Sequence, residues 1–128
     1  MDAIKASMSH EEKKAFMLLK SVILHYHGLD DDERHILDNT AEEYAAHNEL
    51  DWANEFIAAD YLSAFERSRE YLNKVIGNLA KEQRIAYLAN VWHDNNRKGY
   101  ITEMEAMAML NLAKDWGIHV ELIREIRK

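Results

Sequence analysis

The chain has 128 residues, of which 48% are hydrophobic and 30% charged, a composition that excludes a disordered chain and fits one folded domain over 1–128. Its net charge of −7, with basic residues scattered along the sequence, argues against nucleic-acid binding, and the absence of cysteine excludes disulfides, thiolate metal sites and thiol catalysis. No run of about 18 apolar residues could span a membrane, and residues 1–10 lack the apolar stretch of a secretion signal, so we expect a cytoplasmic protein.

The absence of proline and the presence of only four glycines predict an all-α bundle of about seven helices joined by short loops. The first helix should begin at Ser9, because Ser9 and Glu12 have the spacing of a capping box, and it should end at Gly28. The acidic run 30–32 favours the start of a second helix, since negative charge is stabilising at a helix N-terminus. Asp51 can cap a short third helix.

Turn and capping residues also divide the second half of the chain. A longer fourth helix should follow from about Asp60, and the Gly-Asn pair at 77–78 should end it. The fifth helix should run into a polar loop over 94–99. A sixth helix should begin at Thr102 and end at Gly117, and one more helix should follow it.

Apolar residues at helical spacing predict which side chains build the core. We expect the interior to include Leu62 in the fourth helix, Met107 in the sixth and Val120 in the last. Met104 should face solvent. It belongs with Met107 and Met109 to a methionine-rich stretch that could provide an adaptable partner surface.

Two stretches of the sequence repeat one helical pattern. Residues 33–44 and 105–116 both read Glu, three residues, a large apolar residue, two residues, Thr or Leu, Ala, two residues and an aromatic residue. A His and then a Gly precede each stretch, at His27 and Gly28 and again at His93 and Gly99. The repetition predicts an internal two-fold repeat with halves at about 9–57 and 78–127, which no linker separates and which should pack into one bundle.

The segment 94–105 has the spacing of a helix–loop–helix calcium loop. Asp94 stands at position one, Asn96 at three, Gly99 at six, an apolar residue at eight and Glu105 at twelve. Lys98 at position five lacks a ligand oxygen and would repel Ca²⁺, and the matching segment of the other repeat is too short for a second loop. A single degenerate EF-hand-like calcium loop is therefore one alternative for this segment.

The pattern of the second repeat extends on both sides of its glutamate. It comprises 99–105, followed by Met109, Leu112, Ala113, Trp116, Gly117 and Ile118. Occurring twice in order, this pattern resembles the signature of the TerB-like family, which is named for tellurite resistance, and the resemblance covers about 12 to 126. It implies an all-helical bundle of two halves in a cytoplasmic bacterial protein of stress-response type, without known catalysis. It also implies that acidic residues of the two halves gather on one face and bind a divalent metal ion.

The resemblance further implies which residues would bind that ion. Glu33 and Glu105 match the signature glutamate of the two halves, whereas His27 and Lys98 stand where the signature has aspartate. Asp94 and the run 30–32 could substitute for those aspartates. The candidate metal ligands are therefore Asp30, Asp32, Glu33, Asp94, Asn96 and Glu105, and the implied cofactor is a divalent cation, Ca²⁺ or Mg²⁺.

The same carboxylates also fit a purely structural role. Asp30 with Glu33, and Thr102 with Glu105, have the capping-box spacing, in which the glutamate accepts hydrogen bonds from free backbone N–H groups. Such a cap needs no ligand and contributes about 0.5–2 kcal/mol to stability.

Two functions follow from these patterns. The first is a non-enzymatic TerB-like module whose acidic surface, formed by the two repeated loops, binds a divalent cation or docks a protein partner. The alternative is a structural or protein-interaction domain, open to self-association, in which the carboxylates only cap helices. No nucleophile elbow, glycine-rich phosphate loop or HExxH pair is present, so an enzyme would require a deep pocket lined with several titratable groups.

Overall fold

The computed structural model describes residues 8–24, 31–97 and 99–127, and all regular structure within these ranges is helical. The helices are α1 (His10–Leu24), α2 (Asp31–Tyr44), α3 (His47–Ala58), α4 (Ala64–Val75), α5 (Lys81–Asn96), α6 (Glu103–Asp115) and α7 (His119–Ile126), with a 3₁₀ turn (Tyr61–Ser63) directly before α4. The all-α prediction is therefore confirmed for the described residues. None of the described helices combines the length and apolar character that a bilayer crossing requires.

Helix α1 lies at the centre of the bundle. It contacts α2, α3, α4, α5 and α6, most extensively α3 and α4. Residues 15–24 are at most 4% exposed, and they are apolar around the whole helix apart from Lys20 and Ser21. Phe16 packs between Tyr44 of α2 and Tyr87 of α5, with ring centroids 5.3 and 5.2 Å away. A helix that is apolar on every side is stable only when other helices surround it.

Capping residues set several boundaries where the sequence predicts them. The Oγ atom of Ser9 accepts the N–H of Glu12 at 3.1 Å before α1, and the carboxylate of Asp60 accepts the N–H of Leu62 at 3.1 Å at the 3₁₀ turn. Gly117 follows α6 in a left-handed conformation with φ of +69°. The predicted end of the first helix at Gly28 lies outside the described residues.

The predicted start of the third helix at Asp51 is wrong, because α3 begins at His47 and Asp51 is an exposed residue within it. Helix α2 is followed by Ala45 with φ of +52°. The N–H of Ala46 then bonds the carbonyl of Ala41 at 2.8 Å, which closes the end of α2. The residue with positive φ that follows a helix is usually glycine, and the sequence has alanine at this position. The end of α2 was therefore not predicted here. Helix α5 also continues to Asn96, so the polar loop begins later than predicted.

Three apolar side chains that were predicted in the core are exposed. The exposed fractions are 101% for Leu62, 56% for Met107 and 47% for Val120. Leu62 lies in the 3₁₀ turn, which has three residues per turn and therefore does not follow the helical spacing behind the prediction. On α6 the buried stripe includes Met109 and excludes Met107. Val120 is the second residue of the last helix, in which Leu122 alone is buried among the described residues. Met104 is exposed, as predicted.

Candidate functional site

The predicted metal ligands lie at three separate ends of helices. They are Asp32 and Glu33 in the first turn of α2, Asp94 and Asn96 at the end of α5, and Glu105 in the first turn of α6, while Asp30 lies outside the described residues. Asp32 and Asn96 are exposed, whereas the other three are buried. Across 8–24, 31–97 and 99–127, no group of three or more His, Cys, Asp or Glu side chains is arranged to hold a metal ion.

The first turn of α6 contains the predicted capping box. The Oγ1 atom of Thr102 accepts the N–H of Glu105 at 3.1 Å. In return, the carboxylate of Glu105 accepts the N–H and the hydroxyl of Thr102, both at 2.9 Å. Glu105 has no exposed surface, so its carboxylate is held inside the fold. The predicted capping box of Thr102 and Glu105 is therefore confirmed.

Asp94 is paired with Lys20, a residue that was not among the predicted site residues. Lys20 of α1 donates a hydrogen bond to the Oδ2 atom of Asp94, and the two side chains are 2% and 12% exposed. The guanidinium group of Arg97 lies 3.2 Å from the Oδ1 atom of the same carboxylate. One nearly buried carboxylate thus has two cationic partners, which neutralise its charge within the chain.

Lys20 faces a polar cleft between α1, α2 and α5. Its Nζ atom also donates to the Oγ1 atom of Thr40 at 2.9 Å, and the Thr40 hydroxyl donates to the carbonyl of Ile36 at 2.8 Å. The cleft has a volume of about 190 Å³, and its further lining residues include Asn39, Glu43, Asn90, Asp94 and Arg97. Several titratable groups therefore share one small concave site.

The size and charge state of this cleft restrict what it can bind. Burial lowers the pKa of Lys20 below its ordinary value of 10.5, and the neighbouring Asp94 carboxylate opposes that shift. Perturbed lysines occur in functional sites and in structural ion pairs alike. Most small-molecule sites measure about 300–1,000 Å³. The cleft is therefore smaller than a typical small-molecule site, and the Lys20 and Asp94 charges within it already pair with each other.

A clue in the sequence could have identified Lys20. It is the only charged residue within 15–24, a run that is otherwise almost entirely apolar. A charged residue inside such a run is buried together with the run and must find an opposite charge, because an unpaired buried charge is very costly.

The calcium-loop alternative receives no support from this geometry. Its first three positions, 94–96, are the last residues of α5 rather than part of a loop. Asp94 at position one is bound to Lys20, and Glu105 at position twelve belongs to the capping box. Asn96 at position three is exposed. A calcium role for this segment stays a prediction.

A second concave surface is apolar and more open than the cleft. It is a groove of about 400 Å³ lined by Val22, Ile57, Tyr61, Leu62, Ala64, Phe65 and Met104. Tyr61, Leu62 and Met104 are 67%, 101% and 51% exposed. Exposed apolar side chains that gather at one concave surface are typical of interaction sites. Asp60 directly precedes Tyr61 of the groove, and the hydrogen bond from the hydroxyl of Ser63 lowers the pKa of its carboxyl group.

Comparison with known proteins identified no relative of this chain. No family model, no curated protein and no solved structure matches it. The TerB-like resemblance therefore depends on the sequence pattern alone.

Proposed function

We propose that the chain is a TerB-like helical module of two related halves, which acts by binding a protein partner rather than by catalysis. Its partner surface is the apolar groove beside the 3₁₀ turn. The observation that carries this proposal is the position of Leu62, which places a large apolar side chain wholly in solvent at that groove. Other exposed apolar residues of the same groove, Tyr61 and Met104, extend the surface.

Equivalent helix ends support the two-halved architecture. Glu33 and Glu105 are both buried in the first turn of their helices. Ala45 and Gly117, which hold the same place in the two repeats, both adopt positive φ, and the N–H of the residue after each bonds a carbonyl five residues earlier at 2.8 Å. In both cases the next helix begins two residues further on, at His47 and at His119.

The groove fits the apolar face of an amphipathic helix with basic flanks. Helices bind in grooves by inserting several large side chains spaced three or four residues apart. Asp60, Glu66 and Glu103 are exposed, and each directly adjoins a lining residue in the sequence. The chain as a whole carries a net charge of −7. Charge complementarity therefore selects a partner helix with lysine or arginine beside its apolar face.

A pair of synthetic helices tests this proposal directly. One peptide carries leucine and methionine on one face and lysine on its flanks, and its twin carries glutamate in place of lysine. Titration into ¹⁵N-labelled protein should shift the amide signals of 61–65 and of Met104, with the basic peptide binding at least about tenfold more tightly than its twin.

A matched pair of substitutions provides the control. Leu62→Ser should weaken binding of the basic peptide at least about tenfold, since it removes a large exposed apolar side chain that lines the groove. Val120→Ser changes another exposed apolar residue outside the groove and should leave the affinity unchanged. Equal affinity for both peptides, or equal effects of both substitutions, contradicts the proposal. A concentration-dependent dimer that Leu62→Ser abolishes would assign the groove to a second copy of the chain instead.

The divalent-metal role stays a separate prediction. It is tested by titrating Ca²⁺, Mg²⁺, Mn²⁺ and Zn²⁺ into the labelled protein. Saturable amide shifts confined to 31–33 and 94–105 would support it.

A further inference from the structure

The polar cleft beside α1 is built like a small cation site. Oxygen-bearing side chains approach it from two helices, with Thr40 and Glu43 on α2 and Asp94 on α5. Asn39 and Asn90 add amide groups to its lining. The Nζ atom of Lys20 enters this set from α1 and donates to Thr40 and to Asp94. The Glu43 carboxylate also attracts the ammonium group.

We infer that the Lys20 ammonium group takes the place beside Asp94 that a divalent cation would occupy, so that the junction of α1, α2 and α5 is stable without a metal. The TerB-like resemblance implies a divalent ion bound by acidic residues, and Asp94 could substitute for the signature aspartate, whose place Lys98 holds. The residues around Asp94 do not fit that ion. Lys20 and Arg97 already contact both oxygens of the carboxylate.

A divalent ion could enter only by displacing the lysine. The Lys20 ammonium group would then remain almost fully buried without its carboxylate partner, which is costly in a low-dielectric interior. It would also repel the incoming ion at short range. Mg²⁺ needs little from the protein beyond one or two carboxylates, because it retains several of its waters. Lys20, rather than a shortage of oxygen ligands, is therefore what excludes the ion.

Removing the charge of Lys20 should open the site to Mg²⁺. In Lys20→Met the side chain keeps its apolar stem but leaves the place of the ammonium group empty. The oxygens of Asp94, Glu43 and Thr40 then face that place without the ammonium group, and the largely exposed Arg97 is the cation that remains beside Asp94. We expect this variant to bind Mg²⁺ at least about tenfold more tightly than the wild-type chain. The double variant Lys20→Met/Asp94→Asn lacks the carboxylate and should lose the gain.

The experiment compares the three chains by amide-shift titration with Mg²⁺, with Mn²⁺ broadening of the same signals as a second readout. The expected result is saturable change at Thr40 and Asp94 in Lys20→Met alone. If that variant is unfolded without metal, Mg²⁺ should refold it, as followed by circular dichroism, whereas the double variant should fold with or without Mg²⁺.

Two kinds of result would overturn the inference. One is saturable binding of Mg²⁺ around Asp94 in the wild-type chain, which needs no variant to measure. The other is a Lys20→Met chain that folds but binds Mg²⁺ no more tightly than the wild-type chain. An unfolded Lys20→Met chain that Mg²⁺ does not refold, while the double variant folds, would count in the same way. This test is independent of the apolar groove, because neither substitution lies among the groove residues.

Discussion

Glu105 is the position at which a helix cap can be separated from a charge-dependent role. In Glu105→Gln the amide oxygen can still accept the N–H and the hydroxyl of Thr102. The lost charge contributes about 0.3–1 kcal/mol at a helix N-terminus, and the neutral side chain is less costly to bury, so the free energy of unfolding should change by less than about 1 kcal/mol. Glu105→Ala removes the acceptor. The unpaired N–H and the cavity left by the buried side chain together should cost about 2–4 kcal/mol.

Urea unfolding followed by circular dichroism measures both changes, provided that the dependence on denaturant is unaltered. Glu103→Gln is the matched control, because Glu103 lies in the same turn of α6 but is exposed. It removes the same charge without touching the capping box. A Gln substitution at position 105 that costs as much as Ala would refute the reasoning, since the charge itself would then be required.

Three further predictions test other parts of the fold. Hydrogen bonds from Arg69 at 2.6 and 2.9 Å, and from Asn73, lower the pKa of Asp115. The ionised carboxylate therefore contributes fully to the stability of the fold above the ordinary pKa of 3.8, and this contribution is lost as the pH falls through the lowered pKa. The difference in Tm between the wild-type chain and Asp115→Asn should therefore be largest near neutral pH and shrink below pH 3.8, and a gap that widens on acidification contradicts this. Gly117→Ala should lower the free energy of unfolding by about 1–2 kcal/mol, because alanine is strained at the positive φ of this position, and an unchanged urea midpoint would be the contrary result. Leu62→Ser should leave the urea midpoint unchanged, since the side chain is wholly exposed, and a large drop would show that Leu62 packs in the fold.

Local features of the fold could be predicted from the sequence because their causes lie within a few residues. The caps at Ser9 and Thr102 depend on a hydrogen bond across three residues, and both are present. Gly117 ends α6 because glycine adopts positive φ without strain. The absence of proline and the scarcity of glycine likewise indicated helices throughout.

Features that depend on packing could not be predicted in this way. Ala45 adopts positive φ although alanine does not favour it, so the boundary between α2 and α3 was placed too late. Leu62 was assigned to the core because it is leucine at helical spacing. The 3₁₀ turn before α4 instead places the Leu62 side chain in solvent, where it lines the groove.

The Lys20–Asp94 pair shows why the candidate site was harder to predict than the fold. Lys20 could be identified as a charge in an apolar run, but its partners lie 20 and 74 residues further along the chain, on α2 and α5. Only the packing of three helices decides which carboxylate meets the ammonium group. If Lys20 replaces a metal as inferred, one ion pair both holds these helices together and removes Asp94 from any metal site. A binding role would then depend on the apolar groove, where Leu62 is wholly exposed.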